Sequence, residues 1–230
     1  MDYQDAVLQR VTRETDSIYS FALSVPDGMT WKAGQFASWQ LRGVPLDEGD
    51  TDSRIFTIAS SPEEEILLFA TRIGDRHSSY KDALLHRIQP GDVIGVSSAM
   101  GGFAIPEKAD RALLIAGGIG VTPMRAVLKA ECLSDRPGRE LTLIYSDSRE
   151  EYAFPDFWKE AAEELPDLQV CYVNNRYDLA AMVRSYAGTN GADASYLISG
   201  APAMNDSMAA LLLEQGIPES QLIRDSFMGY

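Results

Sequence analysis

A glycine-rich turn in the second half of the chain lies between an apolar stretch and a proline. Residues 112–116 are small or apolar without alternation, which is typical of a strand buried on both faces, and Gly-Gly-Ile-Gly follows at 117–120. Pro123 suits the first turn of a helix, since its fixed φ and missing N–H cost least there. A strand, a turn without side chains and a helix N-terminus offer backbone N–H groups and a positive dipole end to an anion. The stretch therefore predicts a phosphate site of the kind that holds a dinucleotide.

The pattern around this turn favours that interpretation. The spacing Gly118-x-Gly120-x-x-Pro123 lacks the third glycine of the common dinucleotide fingerprint, so a plain packing corner stays open as the alternative. After Ala109, however, strands alternate with helices, which predicts a doubly wound parallel sheet. Strands are expected at residues 112–116, 141–145, 169–173, 196–199 and 222–223, and helices near Pro123, Pro155, Leu179 and Pro202. Ligands of such sheets bind beyond the carboxyl ends of the strands, so the turns at 117–122, 146–149, 174–176 and 200–202 should line one crevice.

The first half of the chain has the pattern of an antiparallel barrel. In residues 19–25 large apolar side chains alternate with Ser or Ala, and a Pro-Asp-Gly turn follows. Further strands are expected at residues 35–41, 54–59, 66–73 and 93–97. One helix is expected among them, with Ser78 or Ser79 as its N-cap and Tyr80, Ala83, Leu84 and Ile88 at helical spacing. We predict a barrel domain over residues 1–107 and an α/β domain over residues 108–230.

The composition limits the classes of function. The 230-residue chain has 34 acidic and 20 basic residues, and its formal net charge of -14 argues against a nucleic-acid partner and against an anionic membrane surface. No apolar run is long enough to span a bilayer, and the first residues lack the pattern of a signal peptide. Cys132 and Cys171 match no metal or iron–sulfur spacing. We therefore expect a cytoplasmic protein without a membrane span or a metal site.

Several motifs occur in an order that one family of flavoproteins shares. Gly-Gln-Phe at 34–36 precedes Arg-Ile-Phe-Thr at 54–57, and a segment with glycine and serines follows at 74–81. Met-Gly-Gly-Phe at 100–103, the turn at 117–123, Ser-Gly-Ala-Pro-Ala-Met at 199–204 and the aromatic end at 227–230 complete the set. On these residues the chain resembles the ferredoxin–NADP reductase superfamily, specifically its small stand-alone flavin-dependent NAD(P)H oxidoreductases. The resemblance implies an antiparallel flavin-binding β-barrel followed by a doubly wound parallel α/β nucleotide-binding domain.

The resemblance also assigns roles to individual residues. It implies cofactor contacts at Arg54, Phe56, Thr57, Arg72, Ile73, Ser78, Ser79, Tyr80, Lys81, Gly117, Gly118, Gly120, Thr122, Pro123, Ser146, Arg149, Arg176, Gly200 and Tyr230, and catalytic roles for Thr57, Ser199 and Tyr230. Arg54 suits a flavin phosphate because a guanidinium makes charge-assisted, bidentate contacts. Phe56 offers a ring face to the flavin, and Thr57 can hydrogen-bond its edge near the hydride-accepting nitrogen. Tyr230 is expected to stack where the nicotinamide must later lie, a frayed terminus being the alternative.

Some residues depart from the pattern of the family. Phe56 replaces the usual tyrosine, Ala99 a common proline, Ser199 a frequent cysteine, and Asp225 a glutamate that often precedes the terminal aromatic segment. The last two keep a polar group beside the expected nicotinamide position. The cofactors carry the hydride chemistry, so none of these departures removes the prediction of a flavin and a nicotinamide nucleotide.

The turn at residues 146–149 bears on the choice between NADPH and NADH. Ser146, Ser148 and Arg149 are similar to residues that hold a 2′-phosphate in NADP-using relatives. Asp147 in the same turn can instead accept a hydrogen bond from a ribose hydroxyl, which is typical of NAD sites, and an ordinary polar loop is a third interpretation. We favour NADPH, with NADH as the alternative.

The resemblance implies hydride transfer between NAD(P)H and bound FAD, with electrons passed to a protein or small-molecule acceptor. FAD is favoured over FMN because residues 74–81 provide a second phosphate anchor beyond Arg54. A ferredoxin or a flavodoxin is the expected protein partner. Two alternatives stay open: a non-catalytic electron-transfer subunit of a larger complex, and a protein that senses dinucleotide without turnover.

Overall fold

The structure is a computed structural model that describes residues 2–134 and 138–225, and the strands of these residues form two sheets. The strands are β1 (Tyr3–Arg13), β2 (Ile18–Leu23), β3 (Phe36–Leu41), β4 (Ser53–Thr57), β5 (Leu67–Arg72), β6 (Val93–Ser97), β7 (Arg111–Gly117), β8 (Glu140–Ser146), β9 (Leu168–Val173), β10 (Ser195–Ser199) and β11 (Leu222–Arg224). The α-helices are α1 (Ser79–His86), α2 (Thr122–Cys132), α3 (Pro155–Glu164), α4 (Arg176–Asn190) and α5 (Pro202–Glu214). Strands β1 to β6 belong to one sheet and β7 to β11 to the other.

The first sheet is antiparallel and curls into a nearly closed barrel. Its strand order is β4-β3-β6-β1-β2-β5, and the end strands β4 and β5 contact each other. Inside the barrel, Phe69 stacks on Phe21 and on Phe56, with ring centroids 4.8 and 5.1 Å apart. Trp39 is fully buried against the same ring. The barrel expected from the sequence is confirmed.

Strand β1 was not predicted, although it lies between β6 and β2 in the sheet. Ala6 and Leu8 are buried, whereas Val7 between them is 40% exposed. The register against β2 shifts between Leu8 and Arg10, which marks a bulge or irregularity there. Such a shift breaks the period-two alternation that identifies a strand. For this reason a mostly polar strand with little apolar pattern escaped the sequence analysis.

The second sheet is parallel, with the order β11-β10-β7-β8-β9 and helices between its strands. This is the doubly wound sheet that the sequence predicts. The chain runs from β7 outward through β8 to β9 and then returns to the other side of β7 with β10. The strand order therefore reverses between the neighbouring strands β7 and β10. Ligands of such sheets bind at the carboxyl ends of the strands at this point.

The helix starts agree with the sequence expectation except at α4. Helices α3 and α5 begin at the predicted prolines, and α2 begins one residue before its proline. Helix α4 begins at Arg176 rather than near Leu179. Asn175 is its N-cap, because the Asn175 side chain accepts hydrogen bonds from the N–H groups of Tyr177 and Asp178.

An apolar core and the ion pairs of two arginines, Arg72 and Arg125, join the barrel to the α/β half. One buried apolar cluster contains side chains from both sheets. Arg72, at the end of β5, contacts Asp147 and Glu151 in the segment after β8. Arg125 of α2 pairs with Glu64 of the barrel, with Nη2 2.8 Å from Oε1. The domain boundary predicted between residues 107 and 108 falls in the segment between β6 and β7. This boundary stays a prediction.

Helix α1 lies between β5 and β6 and begins after Ser78, whose side chain accepts a hydrogen bond from the N–H of Lys81. The structure confirms Ser78 as the N-cap. Within residues 2–134 and 138–225, none of the helices combines the length and the apolar character that a bilayer crossing requires.

Candidate functional site

A cleft of about 600 Å³ lies between the barrel and the carboxyl ends of the parallel strands. Strands β4 and β5 and the segment before α1 form one wall, and the turns after β7, β8, β9 and β10 form the other. The predicted site residues that line it are Phe56, Thr57, Arg72, Lys81, Gly117, Gly118, Gly120, Thr122, Ser146, Arg149 and Arg176. The four turns thus meet at one crevice, as the alternation of strands and helices predicts.

The glycine turn brings the wall of the cleft close to the turn after β10. A Cβ on Gly117 would lie 2.2 Å from Sδ of Met204, and a Cβ on Gly120 would lie 2.5 Å from the carbonyl oxygen of Ser199. A side chain fits at neither position unless its neighbours move. The turn leads directly into the 11-residue helix α2. A wall without side chains at a helix N-terminus is the arrangement that a phosphate group needs.

Phe56 and Thr57 form the barrel side of the cleft. Both line the cleft, although each is only 6% exposed. Phe56 stacks on Phe69 with an angle of 5° between the rings, so packing fixes its orientation. Phe56 belongs to the barrel core and opens only a small part of its ring to the cleft, and Thr57 lines the same wall with a polar side chain. An aromatic, heterocyclic ligand with hydrogen-bonding edges fits this pair.

A buried hydroxyl and a carboxylate lie at the end of β10. Ser199 is fully buried, and its Oγ donates a hydrogen bond to Oδ2 of Asp225 at 2.9 Å. Asp225 lines the cleft and its backbone N–H donates to the carbonyl of Ile198. The two polar groups that depart from the family pattern, Ser199 and Asp225, thus act as one hydrogen-bonded pair.

Several cations face the cleft. Lys81 is partly buried, with Nζ 3.0 Å from the carbonyl oxygen of Arg72. Burial first, and then the nearby charge of Arg54, lower the pKa of Lys81. Arg76 and Arg149 are exposed and, among the residues that the structure describes, form no ion pair. Because an anion would relieve the cost of burying the Lys81 charge, this wall favours a negatively charged ligand.

Asp147 is committed to contacts within the chain. It is 6% exposed. Its Oδ1 accepts the N–H of Arg149 at 2.8 Å, and its Oδ2 pairs with Arg72. Burial alone would raise the pKa of the neighbouring Glu151, but hydrogen bonds from Ser17 and Thr15 and the charge of Arg72 lower it. The Asp147 carboxylate therefore organises the turn and anchors it to the barrel.

Arg54 does not line the cleft and is instead part of a cluster at the N-terminus of α1. Its guanidinium pairs with Asp50, whose Oδ2 accepts hydrogen bonds from Oγ of Ser79 at 2.7 Å and from the N–H of Tyr80 at 3.1 Å. Arg54 also lies over the Tyr80 ring, 5.0 Å from its centroid. Three donors from two elements thus converge on one carboxylate, which shows that the cluster is built to hold an anion.

The remaining predicted residues lie behind the cleft or outside the described residues. Ile73, Ser78, Ser79, Tyr80, Pro123, Ser199 and Gly200 do not line it themselves. Tyr80 is fully buried, burial raises the pKa of its hydroxyl, and that hydroxyl donates to the carbonyl of Trp39. Tyr80 therefore binds the Asp50 carboxylate through its backbone N–H and not through its hydroxyl. Tyr230 lies outside the described residues.

Sequence reasoning missed two acidic residues of the site. Asp50 belongs to the acidic turn Leu46–Asp50, which has the composition of an ordinary solvated loop. Glu151 follows the turn at 146–149 and has no local signal either. Asp50 became recognisable only when the fold brought Ser79 and Tyr80 to its carboxylate, and Glu151 only when the fold brought Arg72 to it.

The chain is similar to known redox proteins along both halves. Residues 114–210 match the family model described as oxidoreductase NAD-binding domain. The chain is 31% identical to NADH oxidoreductase HCR of Escherichia coli (strain K12) over 156 residues, which cover 66% of this chain and 46% of that protein. Ferredoxin-NADP+ reductase from Plasmodium falciparum has the same fold, with a TM-score of 0.78 at 16% identity over 96% of this chain and 95% of that one. The chain therefore has the ferredoxin–NADP reductase fold, and its second half is similar to oxidoreductase NAD-binding domains.

A second solved member of this fold spans the whole chain. The flavohem-like FAD/NAD binding domain of nitric oxide dioxygenase from Vibrio cholerae O1 biovar El Tor superposes with a TM-score of 0.78 at 17% identity, covering 99% of both chains. The chain spans about half the length of the curated relatives it matches. The ferredoxin–NADP reductase fold accounts for both sheets and for the cleft between them.

Proposed function

We propose that the chain is a flavin-dependent oxidoreductase that transfers a hydride between NAD(P)H and a bound flavin and passes electrons to an acceptor. The observation that carries this proposal is the composition of the cleft. The rigid Phe56 ring and the Thr57 hydroxyl lie on one wall, and the glycine turn at the start of α2 lies on the other. These are the two kinds of wall that a flavin and a dinucleotide require on opposite sides of one crevice.

The residues of the barrel fit a flavin. Phe56 offers a ring face for stacking, Thr57 offers a hydroxyl for a hydrogen bond, and the Arg54 cluster already holds a carboxylate. When bound, the flavin supplies the hydride-transfer and electron-transfer chemistry, while the protein supplies binding and orientation. We favour FAD over FMN, since Lys81 and the N-terminus of α1 extend the anion-binding surface beyond Arg54.

The residues of the α/β half fit a nicotinamide dinucleotide. The missing side chains of Gly117 and Gly120 let the turn after β10 pack against the glycine turn. The glycine turn leads into the N-terminus of α2, whose backbone N–H groups suit a pyrophosphate. Arg149 and Arg76 are exposed cations near Ser146 and Ser148 at the rim of the cleft, and they suit a 2′-phosphate. We therefore propose a preference for NADPH. Both oxygens of Asp147 are engaged inside the chain, which weakens the argument for NADH.

Thr57 and Asp225 line the cleft, and Ser199 lies behind it and positions Asp225. The Thr57 hydroxyl would donate a hydrogen bond to the edge of a flavin bound on the barrel side, and Phe56 would pack beside it. The Ser199 hydroxyl donates to the Asp225 carboxylate and thereby holds it in place at the wall of the cleft. Both contacts restrict the approach of the two reacting rings and thereby favour transfer.

We propose that the electrons leave toward a small iron–sulfur or flavin protein in the cytoplasm. The net charge of -14 favours a neutral or basic docking face on that acceptor, unless the cations around the cleft set the local potential. A dinucleotide sensor is distinguished from the reductase by the following experiment.

The test is an anaerobic absorbance spectrum of the purified protein, followed by titration with NADPH and, on a fresh sample, with NADH. We expect a flavin spectrum that bleaches on addition of either nucleotide, at lower concentration for NADPH. A flavin that stays oxidised while nucleotide binds would identify a sensor. Protein that binds neither FAD nor FMN after reconstitution would refute the proposal.

A further inference from the structure

The cluster around Arg54 contains an anion that belongs to the chain itself. Asp50 lies in the loop between β3 and β4, and its side chain is 13% exposed. One carboxylate oxygen pairs with Arg54, and the other accepts from Ser79 Oγ and from the N–H of Tyr80. These donors are the ones that the resemblance assigns to a flavin phosphate.

The Asp50 carboxylate saturates this cluster. Nη1 of Arg54 donates to the carbonyl oxygens of Thr51 and Ser53 at 2.9 and 2.8 Å, so the guanidinium is wrapped by its own loop. Burial alone would raise the pKa of Asp50, but the hydrogen bonds from Ser79, Arg54 and Tyr80 lower it strongly. The side chain is therefore fully ionised at neutral pH, and a second anion meets both a filled site and a like charge.

Apart from the bonds of Asp50 itself, two hydrogen bonds tie this loop to α1 and its C-cap, and Val44 and Leu46 pack against the barrel core. The N–H of Asp47 donates to Oγ of Ser79 at 3.0 Å, and Arg87 donates to the carbonyl oxygen of Pro45 at 2.7 Å. Residues 42–52 contain no strand or helix, and most of them are exposed. Withdrawal of this loop would free Arg54, Ser79 and the Tyr80 N–H together, while the barrel strands stay in place.

We propose that Asp50 is an internal competitor of the flavin phosphate, which occupies its site and must leave before the flavin binds. The inference rests on the proposed function. It makes Asp50 a residue that sets the affinity for flavin without contacting the reacting rings. Loading of the flavin then requires an exchange of one anion for another at Arg54, rather than simple filling of an open site.

The test compares flavin binding to the stripped, full-length protein and to matched variants. Asp50→Asn keeps the shape of the side chain and removes its charge, and Asp50→Ser cannot reach Arg54. Asp52→Asn is the control, because Asp52 lies in the same loop, is exposed and contacts Gln40 rather than Arg54. The dissociation constant for FAD is measured by flavin fluorescence, and thermal unfolding is measured with and without inorganic pyrophosphate.

We expect the Kd for FAD of Asp50→Asn and Asp50→Ser to be lower than that of the wild type by about tenfold or more, which is the size of effect expected when one hydrogen-bonded charge is removed. Asp52→Asn should bind FAD with the Kd of the wild type. Pyrophosphate should raise the Tm of the Asp50 variants and not that of the wild type, while both variants have a lower Tm than the wild type when no anion is added. Weaker or unchanged FAD binding by folded Asp50 variants would overturn the competitor and leave the reductase proposal intact. Failure of every protein, wild type included, to bind FAD would overturn both.

Discussion

Oγ of Ser199 donates a hydrogen bond to Oδ2 of Asp225 at 2.9 Å, joining the end of β10 to the residue that follows β11. The bond links a fully buried hydroxyl to a carboxylate at the wall of the cleft. Because the backbone N–H of Asp225 also donates to Ile198, the carboxylate is held from two sides. The pair is thus part of the frame of the cleft rather than a flexible surface contact.

Ser199→Ala should slow the reduction of the flavin by NADPH about tenfold, because Asp225 at the wall of the cleft loses the hydrogen bond that positions it. A tenfold change in rate corresponds to about 1.4 kcal/mol in the barrier. Stopped-flow absorbance under anaerobic conditions measures the rate. Ser199→Cys, which keeps a polar atom on β10, is the control and should retain most of the rate. An alanine variant as fast as the wild type would remove Ser199 from the site.

Thr57→Ala should also slow the reduction of the flavin by about tenfold or more, with flavin still bound, because the hydroxyl orients the ring edge and Phe56 still stacks. Thr57→Ser keeps the hydroxyl and should stay within a few-fold of the wild type. Flavin content is read from the absorbance ratio of flavin to protein. Equal single-turnover rates for alanine and serine variants would contradict the role of Thr57.

Arg149→Ala should raise the KM for NADPH about tenfold and change the KM for NADH little, because a charge-assisted contact to the 2′-phosphate is lost. Steady-state kinetics with both nucleotides give the ratio. Arg184→Ala in α4 removes one exposed arginine away from the cleft and serves as the control for net charge. A parallel change in both KM values would argue against a 2′-phosphate contact.

Gly120→Ala should abolish nucleotide binding or prevent folding, because the new Cβ would lie 2.5 Å from the carbonyl oxygen of Ser199 and 2.7 Å from Cα of Gly200. Gly188→Ala is the matched control: Gly188 lies in α4 with nothing within 4 Å of a Cβ, so alanine should stabilise the protein by up to about 1 kcal/mol. Thermal unfolding and NADPH titration measure the two effects. Normal binding by Gly120→Ala would show that the turn can open.

Arg72→Met should lower the free energy of unfolding by about 2–4 kcal/mol, because it leaves the buried Asp147 and the nearby Glu151 without their cation. Arg111→Met removes the exposed pair with Glu140 and should cost about 1 kcal/mol or less. Chemical unfolding at neutral pH measures both values. Equal losses in the free energy of unfolding would contradict the distinction between the partly buried ion pairs of Arg72 and the exposed ion pair of Arg111.

The effect of Arg72→Met should also depend on pH. The pKa of Glu151 is lowered in the folded protein, so its contribution to stability is present above its unfolded pKa of about 4.3 and is lost as the pH falls through the folded value. The difference between wild type and variant should therefore be largest at neutral pH and narrow below about pH 4. A difference that stays constant down to acid pH would exclude Glu151 as its source.

The sequence predicts the frame of the site better than its ionic contacts. Buried strand β7, the glycine turn and the prolines at the helix starts have local signals, because backbone geometry restricts which residues fit there. The start of α4, which the sequence analysis placed near Leu179 rather than at Arg176, also has a local signal, because Asn175 caps the helix. Strand β1 had none, because of its register shift near Leu8.

The partners of charged residues could not be predicted in the same way. Asp50 and Arg54 are four residues apart, but their pairing depends on Ser79 and Tyr80, which lie on another element. From the sequence, a ribose hydroxyl is an alternative partner for Asp147, yet Arg72 from the other sheet engages this carboxylate. Which carboxylate meets which cation depends on how the two sheets pack, and no local pattern records that packing.

The ionic contacts between the sheets limit how halves of related proteins can be recombined. Arg72 and Glu64 belong to the barrel, whereas their partners Asp147, Glu151 and Arg125 belong to the other half. A chimera that takes the barrel from one protein and the α/β half from another would leave these partly buried charges unmatched unless both sides are carried over together. Engineers who exchange the nucleotide-binding half to change cofactor preference should therefore transplant the matching positions in the barrel as well.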